Sequence, residues 1–266
     1  MDLGLKDRVA VVTGGSRGIG KATAHALARE NADVALIARN MADAEVTARA
    51  IAKETGRTLR CYNADTGDDS AVRDAFAQIV KDFGQLDILV NAAAQVAGQA
   101  PAPRFAEITN ENFWAEINVK VLGYLRCARE AVPHMQRSGW GRIINISGLA
   151  ARSTGSIIGT IRNISVAALT KNLADELGPV GINVTCVHPG TTRTEKTARV
   201  VQRRAEAAQI ATVEIERRMA EANTIRRLVT AEEVADVVAF LASPKSIAIN
   251  GDAIAAGGGV PGAIYY

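Results

Sequence analysis

The sequence predicts one α/β domain, a doubly wound parallel sheet of seven strands with helices on both faces. Three observations predict it. Short apolar runs of strand length alternate with amphipathic helical stretches along the whole chain. A glycine-rich turn joins the first run to the first helix. The 266 residues show no repeat and no linker, so residues 1–266 read as a single domain. Sustained strand–helix alternation implies parallel pairing, and right-handed crossovers then leave essentially the doubly wound arrangement.

Val9 to Thr13 reads as the first strand. Lys21 to Glu30 follows as a helix, with Ala24, Leu27 and Ala28 at helical spacing. Val34 to Ala38 is the second strand, and Ala42 to Glu54 a helix ended by Gly56. Leu59 to Tyr62 is the third strand. Asp68 to Phe83 is a helix whose start offers Asp and Ser as caps. Leu86 to Val90 is the fourth strand, and a long helix covers roughly Asn110 to Gln136, interrupted by Pro133. Gly141 to Ser147 is the fifth strand, Val166 to Leu177 a helix and Ile182 to Val187 the sixth strand. Residues 195–225 are largely polar, rich in Arg and Glu and helical in pattern, a segment expected to line or cover a substrate pocket. Ala231 to Leu241 is the last helix and Ala253 to Ala256 the last strand.

Composition narrows the function. Hydrophobic residues make up 48% and charged residues 22%, as in a folded globular enzyme. The net charge of +3 is small and evenly spread, which argues against nucleic acid or an anionic membrane surface as partner. Cys61, Cys127 and Cys186 form no CxxC pair, so neither a disulfide scaffold nor a metal site is expected. They read as small apolar residues in a reducing compartment. No signal peptide and no membrane-length apolar run is visible, and a cytoplasmic protein is expected.

Thr13-Gly-Gly-Ser-Arg-Gly-Ile-Gly20 sits between strand and helix. Gly14 permits the tight turn, and Gly18 and Gly20 let a pyrophosphate approach the positive end of the helix. Ser16, Arg17 and Ile19 complete the loop. Here the chain resembles the short-chain dehydrogenase/reductase family, whose TGxxxGxG pattern matches residues 13–20. The resemblance covers nearly the whole chain and implies a Rossmann-type fold with a nicotinamide dinucleotide. It places Asp65 near the adenine, and Asn91 and Ala93 in the stretch after the fourth strand. It aligns Asn118 with the family's helix asparagine, and places Pro189, Gly190, Thr192 and Thr194 by the nicotinamide end. An NAD site typically ends its second strand with a carboxylate, whereas here Arg39 follows that strand and Arg17 can reach the same place. Two guanidinium groups suit a 2′-phosphate, so NADP(H) is expected over NAD(H).

The family's chemistry uses Ser, Tyr and Lys, the last two spaced YxxxK on one helical face. Tyr62, Tyr124, Tyr265 and Tyr266 are the four tyrosines, and none has Lys four residues on. The matching helix carries Gly159 where Tyr belongs and Asn163 where Lys belongs, and the serine falls at Ser147 or Gly148. Ser147 and Asn118 remain as catalytic candidates, with Asn163 able to bond the ribose. Arg162 can polarise a carbonyl, and His188 titrates in a useful range. Three readings follow: an NADP(H)-dependent oxidoreductase on an unidentified small carbonyl or alcohol with an altered site; a nucleotide-binding regulator or partner subunit without turnover; and a non-redox lyase or isomerase. The resemblance implies a homotetramer. The apolar tail ending Ile264-Tyr265-Tyr266 is expected to dock, in an interface or beside the place that Gly159 leaves empty.

Overall fold

The computed structural model describes residues 2–94 and 102–262. Seven parallel strands form one sheet: β1 (Val9–Thr13), β2 (Asp33–Ala38), β3 (Leu59–Asn63), β4 (Ile88–Asn91), β5 (Gly141–Ile146) and β6 (Ile182–Pro189) with the last strand, Ala253–Ala256. Their spatial order runs β3-β2-β1-β4-β5-β6 and then the last strand. The order reverses between β1 and β4, so the loops leaving these two strands diverge and open a crevice. Two short segments, β7 (Thr192–Arg193) and β8 (Val229–Thr230), pair separately, and Ala253–Ala256 is therefore β9.

Period-two alternation splits the strands between two cores. Ala10, Val12, Leu36 and Ile144 face one side, against Leu27 of helix α1 (Gly18–Arg29) and Ile51 of α2 (Met41–Thr55). Val11, Ile37, Leu89 and Ile143 face the other, against Phe76 and Ile79 of α3 (Asp69–Phe83). Asn40 caps α2 by accepting from the Asp43 amide, and Asp68 caps α3 by accepting from Ser70 and Ala71.

The long central helix is not continuous. It consists of α4 (Asn110–Ile117), a π-helical turn over Asn118–Leu122, and α5 (Gly123–Ser138). Pro133 lies inside α5 and does not end it. The Gly123 amide closes the wide turn on the Asn118 carbonyl, and side chains add further bonds to its backbone. Thr66 Oγ1 donates to the Val119 carbonyl at 3.1 Å, and Arg126 Nη1 donates to the Asn118 carbonyl at 3.1 Å. Gly123 makes room for this, since a Cβ there would meet Thr66 Cβ at 2.9 Å.

The next helix, α6 (Ile157–Leu177), starts nine residues before the periodicity suggests, because the Ser156 side chain caps it on the Gly159 amide. Residues 195–222 form α7 (Thr197–Ala208) and α8 (Thr212–Glu221), packed on each other through Val201, Ala205, Ile215 and Met219. Arg217 and Arg218 pair with Glu214 on an exposed face. The last helix is α9 (Ala231–Ala242), begun by a Thr230/Glu233 capping box. Among the described residues no helix is long and apolar enough to cross a membrane. Cys127 and Cys186 are buried, Cys61 is half-buried, and all three are free. Residues 263–266, with Tyr265 and Tyr266, lie outside the described residues.

Candidate active site

A cleft of about 840 Å³ opens along the carboxyl ends of the strands. Its first wall is the glycine loop. Gly14 holds φ +67°, and a Cβ on Gly20 would meet the Gly14 carbonyl at 2.3 Å, so turn and helix touch only because both residues lack side chains. The amide of Gly18, at the start of α1, points outward and donates to the Glu195 carboxylate at 3.0 Å. That carboxylate occupies the anion position a helix N-terminus provides, and the loop therefore fits a dinucleotide phosphate. Ser16, Arg17 and Ile19 line the same wall.

Arg39 and Asp65 lie at the ends of β2 and β3, both on the cleft. Arg39 has an acid beside it: Asp65 Oδ2 lies 3.5 Å from its Nη1. Ala93, Pro189, Gly190, Thr192 and Thr194 also line the cleft, and so do Met219, Ala222 and Asn223 from α8 and its end. The polar segment after residue 195 thus forms one side of the pocket. Asn91 does not reach it; its Nδ2 donates to Asn145 Oδ1 at 2.9 Å inside the sheet.

The opposite end of the cleft is built by β5, α6 and the π turn. Ser147, Arg162 and Asn163 line it and are buried. Ser147 Oγ donates to the Asn163 carbonyl at 2.9 Å. Arg162 pairs with Glu116, and its Nε has no partner among the described residues. Asn118 lies elsewhere: its Nδ2 donates to the Gly67 carbonyl at 3.0 Å and its Oδ1 accepts from Arg126 at 2.9 Å. It fastens the helix to the loop after β3 instead of entering the cleft. Gly159 is not on the cleft either; it packs on Ser156, where a Cβ would meet Oγ at 2.8 Å. His188 is buried in β6, and desolvation, with Arg152 and Lys120 adding, pushes its imidazole down to about 4. It is therefore neutral at pH 7 and cannot donate as an imidazolium.

The residue that sequence reasoning misses is Lys120. The π turn aims it inward, where it is 5% exposed and lines the cleft. Its Nζ donates to the Ser147 carbonyl at 2.9 Å and to Asn163 Oδ1 at 3.0 Å. Burial, reinforced by the Arg162 guanidinium, pushes the ammonium down to about 7. Tyr124, one helical turn on, donates its hydroxyl to the Ile146 carbonyl at 2.9 Å, and burial holds its phenol well above the ordinary value. A signal was present: Lys120 is the sole charge in the run Ile117 to Gly123, and it precedes a tyrosine by four residues. The usual motif has the tyrosine first, so a search in that direction passes over it.

A doubly wound sheet with a glycine loop at its switch point and a deep cleft at its strand ends defines a dinucleotide-binding Rossmann protein. Residues 14–261 match the sequence family described as enoyl-(acyl carrier protein) reductase. The chain is 34% identical over 258 residues to the short-chain reductase protein NovJ of Streptomyces niveus, covering 96% of this chain and 95% of that one. It is 30% identical over 258 residues to the NADPH-dependent reductase BacG of Bacillus subtilis, with 96% and 98% covered. Among solved structures, L-sorbose reductase from Gluconobacter frateurii, complexed with NADPH and L-sorbose, superimposes with a TM-score of 0.93 at 27% identity, covering 99% of this chain and 100% of that one. An NAD+-bound xylitol dehydrogenase gives 0.87 at 25% identity, covering 96% and 100%. The chain belongs to the short-chain dehydrogenase/reductase family.

Proposed function

We propose that the protein is an NADP(H)-dependent oxidoreductase that interconverts a small carbonyl compound and its alcohol. The observation that carries this reading is one continuous cleft, with the glycine loop, Arg17 and Arg39 at one end and a buried amine, Lys120, at the other. The nicotinamide group supplies or accepts a hydride when bound. Arg17 and Arg39 hold the 2′-phosphate, Gly18 offers its amide to the pyrophosphate once Glu195 moves aside, and Asn163 lies where the ribose is held. Relatives named as reductases, two of them named with NADPH, support the reduction direction and the phosphorylated cofactor. The free cysteines accord with a reducing compartment such as the cytoplasm. An exposed isoleucine row on α6 fits one two-fold contact between copies of the chain, which a homotetramer would need.

Fluorescence titration with NADPH and NADH, followed by a screen for cofactor oxidation over ketones, aldehydes and ketoses, tests the reading. NADPH is expected to bind more tightly and to be consumed with at least one carbonyl class. Tight NADPH binding with no turnover across the panel would replace this reading with that of a nucleotide-binding regulator or partner subunit.

A further inference from the structure

We infer that Lys120 is the proton donor of this site, taking over from a different helix the work of the tyrosine and lysine that positions 159 and 163 lack. The inference rests on the oxidoreductase reading above. Family resemblance puts the amine on α6, at Asn163; here the amine comes from the π turn and the amide from α6, and the two meet at 3.0 Å. The asparagine position that the resemblance marks, Asn118, is unchanged, and the amine stands two residues further along the same turn.

The geometry suits proton transfer. A lysine ammonium carries three donors. Two are spent, on the Ser147 carbonyl and on Asn163 Oδ1, and both acceptors are neutral oxygens. The third is left for an oxygen atom in the cleft that Lys120 lines. The neighbouring groups are not equivalent. Tyr124 commits its hydroxyl to the Ile146 carbonyl, Ser147 commits its own to the Asn163 carbonyl, and Arg162 does not release a proton at neutral pH. His188 does not line the cleft.

The charges around Nζ come from every element packed on it. Arg162 on α6 disfavours the ammonium and Glu116 on α4 favours it, while burial holds the Cys186 thiol on β6 up at about 11 and so uncharged at neutral pH. Glu116 is itself paired with Arg162, which leaves burial as the dominant influence. Tyr124 on α5 and His188 on β6 are both uncharged at neutral pH. An amine balanced near neutral pH can both give and take a proton.

In reduction, the Lys120 N–H bond breaks as the O–H bond of the product alcohol forms. The electron pair of the new C–H bond arrives as hydride from the reduced nicotinamide dinucleotide. The neutral amine then regains its proton from water. In oxidation the same groups run in reverse, and the neutral amine accepts the alcohol proton.

The test combines an amine titration with kinetics. With lysines carbon-13 labelled at Cε, the resonance absent from Lys120→Arg is assigned to Lys120 and followed against pH in the NADPH complex and in the free protein. A midpoint near 7 in the free protein is expected; a midpoint near the ordinary lysine value of about 10.4 overturns the inference. Reduction of the best carbonyl from the screen should slow as pH rises through that midpoint, because the ammonium is the reacting form. Lys120→Arg keeps the charge and Lys120→Met removes it. Each should lose about 10²–10⁴-fold in the hydride-transfer rate, with NADPH affinity retained. Turnover that survives both substitutions overturns this inference and leaves the oxidoreductase reading standing. A wild-type protein that binds NADPH and reduces nothing overturns both. Should neither variant fold, the wild-type titration, assigned by its response to NADPH, and the pH profile decide.

Discussion

Arg39 stands where a carboxylate would hold the ribose hydroxyls in an NAD site, yet Asp65 shares its guanidinium at 3.5 Å. A 2′-phosphate must compete with that exposed carboxylate, and a double negative charge with three acceptor oxygens wins over a single distant one. Arg39→Asp should therefore weaken NADPH binding by about tenfold or more, from a charged contact of roughly 1.5–3 kcal/mol, and bring NADH ahead. Unchanged relative affinities on titration would remove Arg39 from the site. Restoring the family's residues at 159 and 163 is expected to fail. A side chain at Gly159 meets the Ser156 hydroxyl that caps α6, and an ammonium at 163 would face that of Lys120 where an amide oxygen now accepts. Gly159→Tyr with Asn163→Lys should lower turnover and depress the Lys120 midpoint further; faster reduction than wild type would contradict this. These residues also show what a sequence discloses. Gly14 and Gly20 are legible because the backbone tolerates nothing else there. Lys120 is not, because its inward aim depends on a π turn whose carbonyls are braced by Thr66 and Arg126, from distant or later parts of the chain.

Elements with a strong apolar period were legible to within a few residues, and β1, β2 and the glycine turn sit where the pattern places them. Departures have local causes. Helix α6 extends back to Ile157 because a single serine cap overrides a weak apolar period, and the central helix divides at the π turn because one more residue fits there when side chains supply its bonds. Contacts between distant elements are beyond reach of such patterns, and the clearest case is Glu195. It follows β7, yet both its carboxylate oxygens reach the Gly18 amide at 3.0 and 3.2 Å. An anion at the start of α1 is stabilised by the helix dipole and repels an incoming pyrophosphate. Glu195→Gln removes the charge and keeps the size. It should raise NADPH and NADH affinity together by a few-fold, consistent with a contribution of about 0.3–1 kcal/mol for an exposed charge at a helix end. Titration at low and moderate salt checks it: the gain should shrink as salt rises. A gain for one cofactor alone would place Glu195 at the 2′-phosphate instead.

On the scale of the whole molecule, the two cores of the sheet take up most of the buried apolar residues, and among the large apolar residues left outside one row lies together on α6. Ile157, Ile161 and Ile164 lie at helical spacing on α6 and are 47%, 41% and 48% exposed, and Trp114 on the adjoining α4 is 58% exposed. The small residues of α6 do not all serve the same face: Ala174 is buried in the chain's own core, whereas Ala168 is exposed beside the isoleucines. Large apolar side chains grouped on neighbouring helices are costly in water and fit a self-complementary contact across a two-fold axis. In such a contact each substitution appears twice. Ile161→Glu would place an unpaired carboxylate, with its symmetry mate close by, in a surface that must lose water to form. Light scattering with gel filtration should find the wild-type protein as a tetramer and Ile161→Glu as a smaller species. The variant should keep its NADPH affinity, because the glycine loop belongs to β1 and α1, in the other half of the sheet. It should lose turnover only insofar as α4 and α6, which carry Glu116, Arg162 and Asn163, need the partner to hold them in place. A tetramer that persists in Ile161→Glu would move the interface away from α6, and a wild-type monomer at micromolar concentration would show that the isoleucine row has no copy of itself to meet.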